Sequence, residues 1–275
     1  MPAASVSSPM LFSRSSMRAR RAFSLSLLRF RRRMSEPSRT VLHADAIDWL
    51  RDHPLQAGCS VVASMPDVSE WGVTLAAWKP RFKEAARLCL RATPPDGVTV
   101  FFQTDARAEG RWVGKGGLVL GVAAELGVPL LWHKIVLQRP PNTSLHARAG
   151  YSHLLAFSRA VTIPGSHASP DVLPDRGMIP WSHSMGTRAA VRAMRDIRAF
   201  APATHTIVQP FCGIGTALVI ANRFGFHALG IEWNRRRAEQ ARTLTMDEIR
   251  AADGERLERR QRRGPRHKKS EPQTP

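Results

Sequence analysis

Short apolar runs alternate with longer amphipathic stretches through most of this chain. Runs of about four to eight residues rich in Val, Ile, Leu and Phe, bounded by turn residues, predict buried strands. Stretches whose apolar residues return about every three or four positions predict helices that cover a sheet. The pattern predicts an alternating α/β sheet, with strands at Ser60–Ala63, Thr99–Thr104, Leu130–Val136 and Leu154–Ser158 and helices at Lys79–Arg91 and Gly117–Leu126.

The pattern is most regular near the end of the chain. A short apolar strand, a turn with two glycines, a helix and a second strand follow one another without interruption. The strands are predicted at Ile207–Val208 and His227–Ile231, and the helix at Thr216–Arg223. Glu232 comes directly after the second strand. A strand, a glycine turn, a helix, a strand and a terminal acid form the layout of a nucleoside-binding half-fold.

Three residues of this half-fold have defined chemical uses. Gly213 and Gly215 permit a tight turn and a close approach of ligand to backbone that a Cβ would block. The Glu232 carboxylate can accept hydrogen bonds from the hydroxyls of a ribose. A dinucleotide-binding Rossmann domain uses the same parts, but it normally begins with this unit and continues with several more βα units. Only about forty residues follow Glu232, so earlier segments must complete the sheet, and a permuted order is implied.

Six segments resemble, in family order, the permuted beta-group of DNA amino-methyltransferases. QPFCGIGTA, from Gln209 to Ala217, is similar to the family's AdoMet-binding pattern DPFxGxGTT. VVASMPDVSEW, from Val61 to Trp71, occupies the place of its catalytic TSPPYW. The other four segments resemble GDCLEVL, IIWxK, HExILxFxK and HPTQKP with its following helix, and they are Val41–Leu50, Leu130–Val136, Tyr151–Arg159 and Trp181–Phe200. The resemblance runs from about Val41 to Leu244.

The resemblance implies an α/β fold made of a single Rossmann-like class I methyltransferase domain. Its mostly parallel sheet would lie between two helical layers in a three-layer sandwich, with the motifs in circularly permuted order. S-adenosyl-L-methionine (AdoMet) is the implied cofactor, and methyl transfer is the implied reaction. Gln209 replaces the aspartate of DPF, so the contact of that carboxylate must be made differently or be absent. The implied cofactor-binding residues are Phe211, Gly213, Gly215, Thr216, Glu232 and His183.

The catalytic loop departs further from the family pattern. In the family, the first residue of (D/N/S)PP(Y/F) and the next carbonyl accept hydrogen bonds from the target amino group, and the aromatic ring stacks on the flipped base. Ser64 and Pro66 fit the first and third positions, but Met65 replaces a proline and Asp67 replaces the ring. We predict catalytic roles for Ser64, Pro66 and Asp67, with Asp67 orienting or deprotonating the acceptor. Trp71 is predicted to contact the substrate by taking over the stacking.

Charge and length bear on the acceptor. The formal net charge of +19 favours a polyanion, and nucleic acid is the predicted partner. Sequence-specific DNA methyltransferases commonly carry a recognition region at the place of Arg159–Trp181, where this chain has only about twenty residues. Because that is little room for an element that enters the major groove, structured RNA such as tRNA or rRNA is favoured over DNA. The alternatives are a non-catalytic module that binds AdoMet or RNA and, third, a DNA amino-methyltransferase.

Composition also divides the chain into three parts. Residues 1–33 hold eight arginines and no acid, which is typical of a basic leader such as an organellar transit peptide. Residues 34–250 are predicted to form the methyltransferase domain, and residues 251–275 a basic, disordered tail. Mitochondrial or other organellar targeting is one prediction for localisation. A start at Met34, giving a cytoplasmic or nuclear protein, is the other.

Metal binding and membrane insertion have little support in the sequence. The three cysteines, Cys59, Cys89 and Cys212, are widely spaced and form no CxxC pair. Cys212 lies in the glycine turn, where a small side chain fills space. No histidine spacing typical of a metal site is present, so we predict no metal. No apolar run reaches the ~18 residues that a membrane span requires, so no membrane partner is predicted.

Overall fold

The structure is a computed structural model that describes residues 36–143, 145 and 148–262. The predicted basic leader at 1–33, and with it the localisation, lies outside the described residues, as do residues 263–275 of the predicted tail. Ten strands are described: β1 Arg39–His43, β2 Cys59–Ala63, β3 Thr99–Gln103, β4 Ala106–Ala108, β5 Arg111–Val113, β6 Leu130–Leu137, β7 Tyr151–Phe157, β8 Val172–Leu173, β9 Thr206–Pro210 and β10 His227–Glu232. Eight helices are described: α1 Ala46–Asp52, α2 Val68–Trp71, α3 Leu75–Ala92, α4 Lys115–Glu125, α5 Thr187–Phe200, α6 Thr216–Arg223, α7 Arg235–Thr243 and α8 Met246–Arg262.

Eight of these strands form one sheet in the order β1-β10-β9-β2-β3-β7-β6-β8. The five adjacent strands β1, β10, β9, β2 and β3 are all parallel to one another. β7 runs antiparallel to both of its neighbours, β3 and β6. The predicted mostly parallel sheet is confirmed.

Helices cover both faces of the sheet. Each face of the sheet carries its own hydrophobic cluster. Successive residues of β2 point to opposite faces, so Val61 packs into one cluster and Val62 into the other. The cluster around Val61 includes Ile47 of α1, Phe82 of α3 and residues of α4. The cluster around Val62 includes residues of α5, α6 and α7. Strands that are apolar on both faces and sit between two helical layers give the predicted three-layer α/β sandwich.

The order of the strands is permuted relative to their position in the sheet. β9, which leads into the glycine turn, comes late in the chain but lies at the middle of the parallel part, between β10 and β2. The chain leaves β9 through α6 toward β10 on one side, whereas β2 leads to β3 on the other. Ligands of open α/β sheets bind outside the carboxyl ends of the strands at such a reversal. The fold therefore directs attention to the carboxyl ends of β2, β9 and β10.

Two parts of the chain differ from the sequence predictions. A separate two-stranded ribbon, β4 and β5, stands between β3 and α4 and was not predicted. The predicted disordered tail is wrong for residues 251–262, which form the last twelve of the 17 residues of helix α8. Asp253 of this helix is buried and accepts a hydrogen bond from the backbone N–H of Ile179 at 2.9 Å. The helix is held against the domain by this contact.

Membrane insertion can be examined on the described helices. Within residues 36–262, leaving out the few that are not described, no helix has both the length and the apolar character that a bilayer crossing requires.

Candidate cofactor and acceptor site

Most of the predicted site residues line one pocket at the carboxyl ends of β2, β9 and β10, which we call the glycine-turn pocket. Ser64 and Pro66 follow β2, Phe211 follows β9, and Glu232 is the last residue of β10. Of the predicted residues, the lining includes Ser64, Pro66, His183, Phe211, Gly213, Thr216 and Glu232. Sequence segments more than a hundred residues apart are thus brought together by the permuted sheet.

The turn after β9 has an unusual backbone. Phe211, Gly213 and Gly215 have φ angles of 61°, 57° and 87°, all in the left-handed region. A Cβ on Gly213 would lie 2.8 Å from Cζ3 of Trp181, and one on Gly215 would lie 2.9 Å from Cβ of Ala241. Glycine is therefore needed at both positions for conformation and for space. Phe211 has no such freedom, and left-handed φ in a bulky residue is typical of a functional turn.

Glu232 is the centre of a buried hydrogen-bond network. It is 3% exposed, and its Oε2 accepts the backbone N–H of Gly213 at 2.9 Å. Its Oε1 accepts from the backbone N–H of Asn234 at 3.0 Å and from Nε of Arg237 at 3.1 Å. A carboxylate offers about four acceptor positions, so Oε2 retains capacity for a further donor. This carboxylate both fixes the glycine turn and faces the pocket.

Arg237, Trp181 and Trp233 form a part of the pocket that was not predicted from the sequence. The guanidinium of Arg237 lies over the ring of Trp181 at 5.1 Å and over that of Trp233 at 6.0 Å. Trp233 is 51% exposed at the mouth of the pocket. The position of Trp233, directly after the terminal acid, was the available signal. Together these rings offer an aromatic surface beside the carboxylate.

Gln209, which replaces the family's aspartate, has a feature of its own. Its side chain is 4% exposed and lines the glycine-turn pocket. Its Oε1 atom is buried, and among the described residues it has no hydrogen-bond partner. Buried polar atoms are nearly always paired, so an unpaired acceptor that faces a pocket indicates a place for a ligand donor.

Thr216 and Cys212 have supporting positions in the same turn. Thr216 begins α6, and its hydroxyl accepts a hydrogen bond from the Ser184 hydroxyl at 3.1 Å. This contact joins the glycine turn to the segment before α5. Burial and the nearby charge of Glu232 raise the pKa of the Cys212 thiol above its ordinary value. Cys212 therefore stays protonated and fills space, as the sequence predicts.

His183 lies between Trp181 of the glycine-turn pocket and the loop after β2. Its Nδ1 is 3.3 Å from Oε2 of Glu70, and its ring lies 4.9 Å from that of Trp181. Burial alone would raise the pKa of Glu70, but His183 and the backbone N–H of Asp67 outweigh burial and lower it. Glu70 is therefore an ionised carboxylate near neutral pH. The pair links the segment before α5 to the loop after β2.

The loop after β2 borders a second, smaller pocket, which we call the loop pocket. Ser64, Met65, Glu70, His183 and Ser184 line both pockets, so the two adjoin. The remaining lining of the loop pocket consists of Asp67, Phe102, Gln103, Thr104, Lys115, Arg148, Arg176 and Ser182. A reaction between groups bound in the two pockets would take place beside the loop.

Ser64 and Pro66 differ in what they can still bind. Among the described residues the Ser64 hydroxyl has no hydrogen-bond partner, so it is available to a ligand. The carbonyl of Pro66 accepts the indole N–H of Trp78 at 3.1 Å. Trp78 is 1% exposed and belongs to the core. Pro66 is therefore positioned to fix the loop, since its carbonyl already accepts one hydrogen bond from the core.

Asp67 is surrounded by cations. Its Oδ1 pairs closely with the ammonium of Lys115, and its Oδ2 lies 3.1 Å from a guanidinium nitrogen of Arg148. Lys115 is only 4% exposed. Asp67 is also the N-cap of helix α2, and its backbone N–H donates to Oε2 of Glu70 at 3.0 Å. Both carboxylate oxygens are held by these neighbours, which suits a positioning role better than that of a free base.

The structure places Trp71 away from the position predicted for it. Trp71 packs edge-on against Phe211 with ring centroids 6.3 Å apart, and Arg81 lies over its face at 4.9 Å. It lines a different cavity, together with Asp45 and Trp233, and neither the glycine-turn pocket nor the loop pocket. The predicted stacking of Trp71 on an acceptor base is not supported by this position. Instead, Trp71 packs against Phe211, whose backbone is strained.

One group of possible metal ligands occurs among the described residues. Single ligand atoms of Asp67, Glu70 and His183 all lie within 4.8 Å of one another. Lys115 and Arg148 already pair with Asp67, so a cation would have to compete with two positive charges. The prediction of no metal stays a prediction.

Comparisons with known proteins bear on the fold. No protein-family model matches the chain, and no curated protein sequence is significantly similar to it. Among solved structures, a protein of Thermus thermophilus described as a DNA modification methylase, in complex with S-adenosyl-L-methionine, superimposes with a TM-score of 0.54 at 20% identity, over 78% of this chain and 96% of that one. The cytosine-N4-specific PvuII DNA methyltransferase superimposes with a TM-score of 0.55 at 16% identity, over 82% and 94%.

These likenesses agree with the geometry described above. Nearly the whole length of each solved chain finds a counterpart here, and the strand order places the glycine turn at the middle of a permuted sheet. The resemblance proposed from six short motifs is confirmed at the level of architecture. The chain has the fold of these two solved DNA methylases, a Rossmann-like α/β domain with a permuted sheet.

Proposed function

We propose that this protein is an AdoMet-dependent methyltransferase that acts on nucleic acid. The observation that carries the proposal is the glycine-turn pocket. A left-handed turn with two obligatory glycines, a buried carboxylate and an unpaired buried acceptor converge there. Its position at the reversal of strand order in a methylase-like fold supports the same ligand class.

The residues of the pocket fit AdoMet by their donor and acceptor character. Oε2 of Glu232 is an acceptor suited to a ribose hydroxyl, and Oε1 of Gln209 is an acceptor for a further O–H or N–H donor. Trp233 and Trp181 present rings on which a purine can pack. Phe211 and the two glycines keep the backbone close to the ligand. When bound, AdoMet supplies a methyl group activated by its sulfonium.

The protein then has to hold an acceptor in line with that methyl group. The Ser64 hydroxyl, free of described partners, is placed to accept a hydrogen bond from an acceptor N–H or O–H in the loop pocket. Pro66 keeps the loop in place through Trp78, and Asp67 does so through Lys115. Alignment of this kind contributes about 7–11 kcal/mol to lowering a barrier. No residue need form a covalent bond to either reactant.

DNA and RNA have to be compared as acceptors. The sequence favours structured RNA, because few residues separate Arg159 from Trp181. The solved neighbours are DNA methylases, which favours DNA. The exposed ribbon at Ala106–Val113, which carries Trp112 at 47% exposure, also offers an element that the RNA argument assumed to be missing. A two-stranded ribbon can enter a major groove, so we place DNA first and RNA second.

A non-catalytic AdoMet-binding module is the second candidate. The observation that favours it is the occupation of Asp67 by Lys115 and Arg148, which leaves the loop without a free carboxylate or an aromatic ring at that position. The available Ser64 hydroxyl favours the enzyme instead. Turnover is therefore the property that separates the two.

The test combines binding with transfer. Calorimetry with AdoMet and with NAD tests the cofactor, and labelled methyl transfer to total DNA and total RNA tests the acceptor. Ser64→Ala should leave AdoMet affinity unchanged and lower transfer by about tenfold, as expected for one hydrogen bond to the acceptor. Ser69→Ala, which changes an exposed serine of helix α2, is the matched control.

Each outcome has a distinct meaning. AdoMet binding with transfer to DNA or RNA supports the proposal and names the polymer. AdoMet binding without transfer to either pool supports the non-catalytic module. Preferential binding of NAD would overturn the cofactor assignment and restore the dinucleotide-binding hypothesis.

A further inference from the structure

A third pocket, beyond the two already described, is built around arginines. Four of them, Arg139, Arg148, Arg176 and Arg256, line it, and we call it the arginine pocket. They come from three separate places: the connection between β6 and β7, which holds Arg139 and Arg148, the segment after β8, and helix α8. Convergence of one residue type from three segments of the chain requires the tertiary fold. A charged helix face would produce no such arrangement.

Carboxylates balance only part of this charge. Arg148 pairs with Asp67 at 3.1 Å and Arg256 with Asp253 at 2.9 Å, both outside the lining. Asp175, the only carboxylate in the described lining, pairs at 2.7 Å with Arg188, which is not one of the four. Burial and the charges of Arg256, Arg139 and Arg148 lower the pKa of the Arg176 guanidinium to about 10. Arg176 therefore stays charged at neutral pH although its neighbours repel it. Guanidinium groups held together despite burial and mutual repulsion are expected where an anion binds.

Hydrogen-bond donors in the pocket also remain unused. Nε of Arg256 is buried and has no partner among the described residues. The same side chain is held in place through its other end, where a guanidinium nitrogen donates to Asp253 at 2.9 Å. Arg176 donates to the carbonyl of Ser184 at 3.4 Å, a long bond that leaves most of its five N–H groups free for a ligand.

The arginine pocket adjoins the loop pocket. Thr104, Arg148, Arg176 and Ser182 line both of them. Arg148 also pairs with Asp67 of the catalytic loop at 3.1 Å. An anion held by the arginines would therefore lie next to whatever group occupies the loop pocket. A nucleotide joined to its neighbour by a phosphodiester has this arrangement of base and anion.

We propose that the arginine pocket binds a phosphodiester of the substrate strand, adjacent to the nucleotide that enters the loop pocket. The proposal rests on the proposed function, because it assigns the pocket to the same nucleic-acid substrate. Planar guanidinium groups match phosphate oxygens with two parallel hydrogen bonds, which explains arginine rather than lysine at all four positions. The contact positions the strand and reads no base.

The test uses Arg256→Gln, with Arg259→Gln as its matched control. Arg259 lies on the same helix, is exposed, and pairs only with Glu255 among the described residues, so the two changes remove equal charge from different places. The probes are a labelled DNA duplex and a labelled RNA hairpin, titrated at several salt concentrations. A second set of probes carries a single uncharged methylphosphonate linkage, moved one position at a time.

For the wild type, we expect one or two linkages whose neutralisation weakens binding by about tenfold, as for a charge-assisted contact. Arg256→Gln should lose a similar factor on the unmodified probe and become insensitive at those linkages. Its salt slope should become shallower by about 0.9 on duplex DNA, the value for one phosphate. Arg259→Gln should retain the wild-type pattern. The probe that shows the sensitive linkage, DNA duplex or RNA hairpin, identifies the polymer whose phosphodiester the pocket binds.

The outcomes separate this inference from the proposed function. If the wild type transfers methyl groups but Arg256→Gln and Arg259→Gln behave alike, the arginine pocket is not a phosphate site and the proposed function stands. If a sensitive linkage depends on Arg256 but no methyl group is transferred, the arginine pocket is a phosphate site and the proposed methyltransferase activity is overturned. If the wild type binds neither probe, both are overturned. Unchanged AdoMet affinity in the two variants confirms that they are folded.

Discussion

The two sides of the site, the proposed cofactor side and the proposed acceptor side, are built in different ways. On the cofactor side, Phe211, Gly213 and Glu232 belong to one continuous strand–turn–helix–strand unit, and the hydrogen bond from Gly213 to Glu232 spans only 19 residues. On the acceptor side, Asp67 pairs with Lys115, which lies 48 residues away. Its other partner, Arg148, is farther still. A local unit specifies the first side, whereas the tertiary fold assembles the second.

This difference teaches where chemical specificity resides. The cofactor side is rigid, because the left-handed turn and its glycines permit little variation. The acceptor side combines one free hydroxyl, on Ser64, with charged pairs that hold the loop. A few substitutions among these residues could change which acceptor the protein binds, while binding of the cofactor is retained. Variants that damage one side and spare the other test this separation.

The largest expected effect is on the cofactor side. Glu232→Gln keeps the shape of the side chain but removes the charge that Arg237 and Gly213 contact. AdoMet affinity should fall by about ten- to a hundredfold, since a hydrogen bond to a charged group is worth roughly 1.5–3 kcal/mol. Calorimetry measures it. Glu239→Gln, an exposed residue paired with Arg235, is the control and should bind normally; equal affinity of both variants would contradict the assignment of Glu232.

An intermediate effect is expected on the acceptor side. Asp67→Asn should lower methyl transfer by about tenfold with unchanged AdoMet affinity, because a neutral side chain holds Lys115 and Arg148 less firmly. The free energy of unfolding should fall by roughly 1–3 kcal/mol, because buried Lys115 loses its counter-ion. Single-turnover transfer and urea unfolding measure the two changes. Asp48→Asn, an exposed carboxylate paired with Arg51, is the control. Transfer as fast as in the wild type would remove Asp67 from the mechanism.

The smallest effect concerns Glu70, which joins the two sides through His183. The pKa of Glu70 is lowered in the folded protein, so its ionised form stabilises the fold above the unfolded-state pKa of about 4.3. That contribution is lost as the pH falls through the folded-state pKa. Glu70→Gln should therefore cost up to about 1 kcal/mol at neutral pH and nothing in strong acid.

Urea unfolding of Glu70→Gln and the wild type at several pH values measures this loss. Glu258→Gln, whose side chain is 67% exposed, is the control and should show no dependence on pH. A difference between Glu70→Gln and the wild type that persists unchanged in acid would show that the side chain acts through packing and not through charge.

The sequence predicted the parts of the fold that are specified locally. The strand at Ser60–Ala63 and the helix at Thr216–Arg223 were found within a residue of their observed ends, because their apolar pattern is continuous. Strand β1 was not predicted, since its five residues include only two large apolar ones and it becomes a strand by pairing with β10. The ribbon at Ala106–Val113 had a usable signal in Glu109 and Gly110, a two-residue turn with positive φ at both positions.

The site was predictable to the same degree. Motif positions led to the prediction of Glu232 and Gly213, which contact each other in the structure across 19 residues of sequence. Periodicity and motifs contain no information about Lys115 or Arg148, because their partner Asp67 becomes a neighbour only after folding. Trp71 was assigned by its distance along the chain, and the short helix α2 rotates it toward Phe211 instead. The direction in which the Trp71 side chain points is set by the local backbone of helix α2, and distance along the sequence does not predict it.

The permuted sheet has a consequence for how the protein is made. β2 is buried on both faces, and one of its two neighbours, β9, emerges from the ribosome roughly 150 residues later. At about 5–20 residues per second, translation leaves that edge unpaired for on the order of ten seconds. An open apolar strand edge is a site of aggregation. We expect chaperones that shield nascent chains, more than the final stability of the domain, to set how much of this protein a cell accumulates.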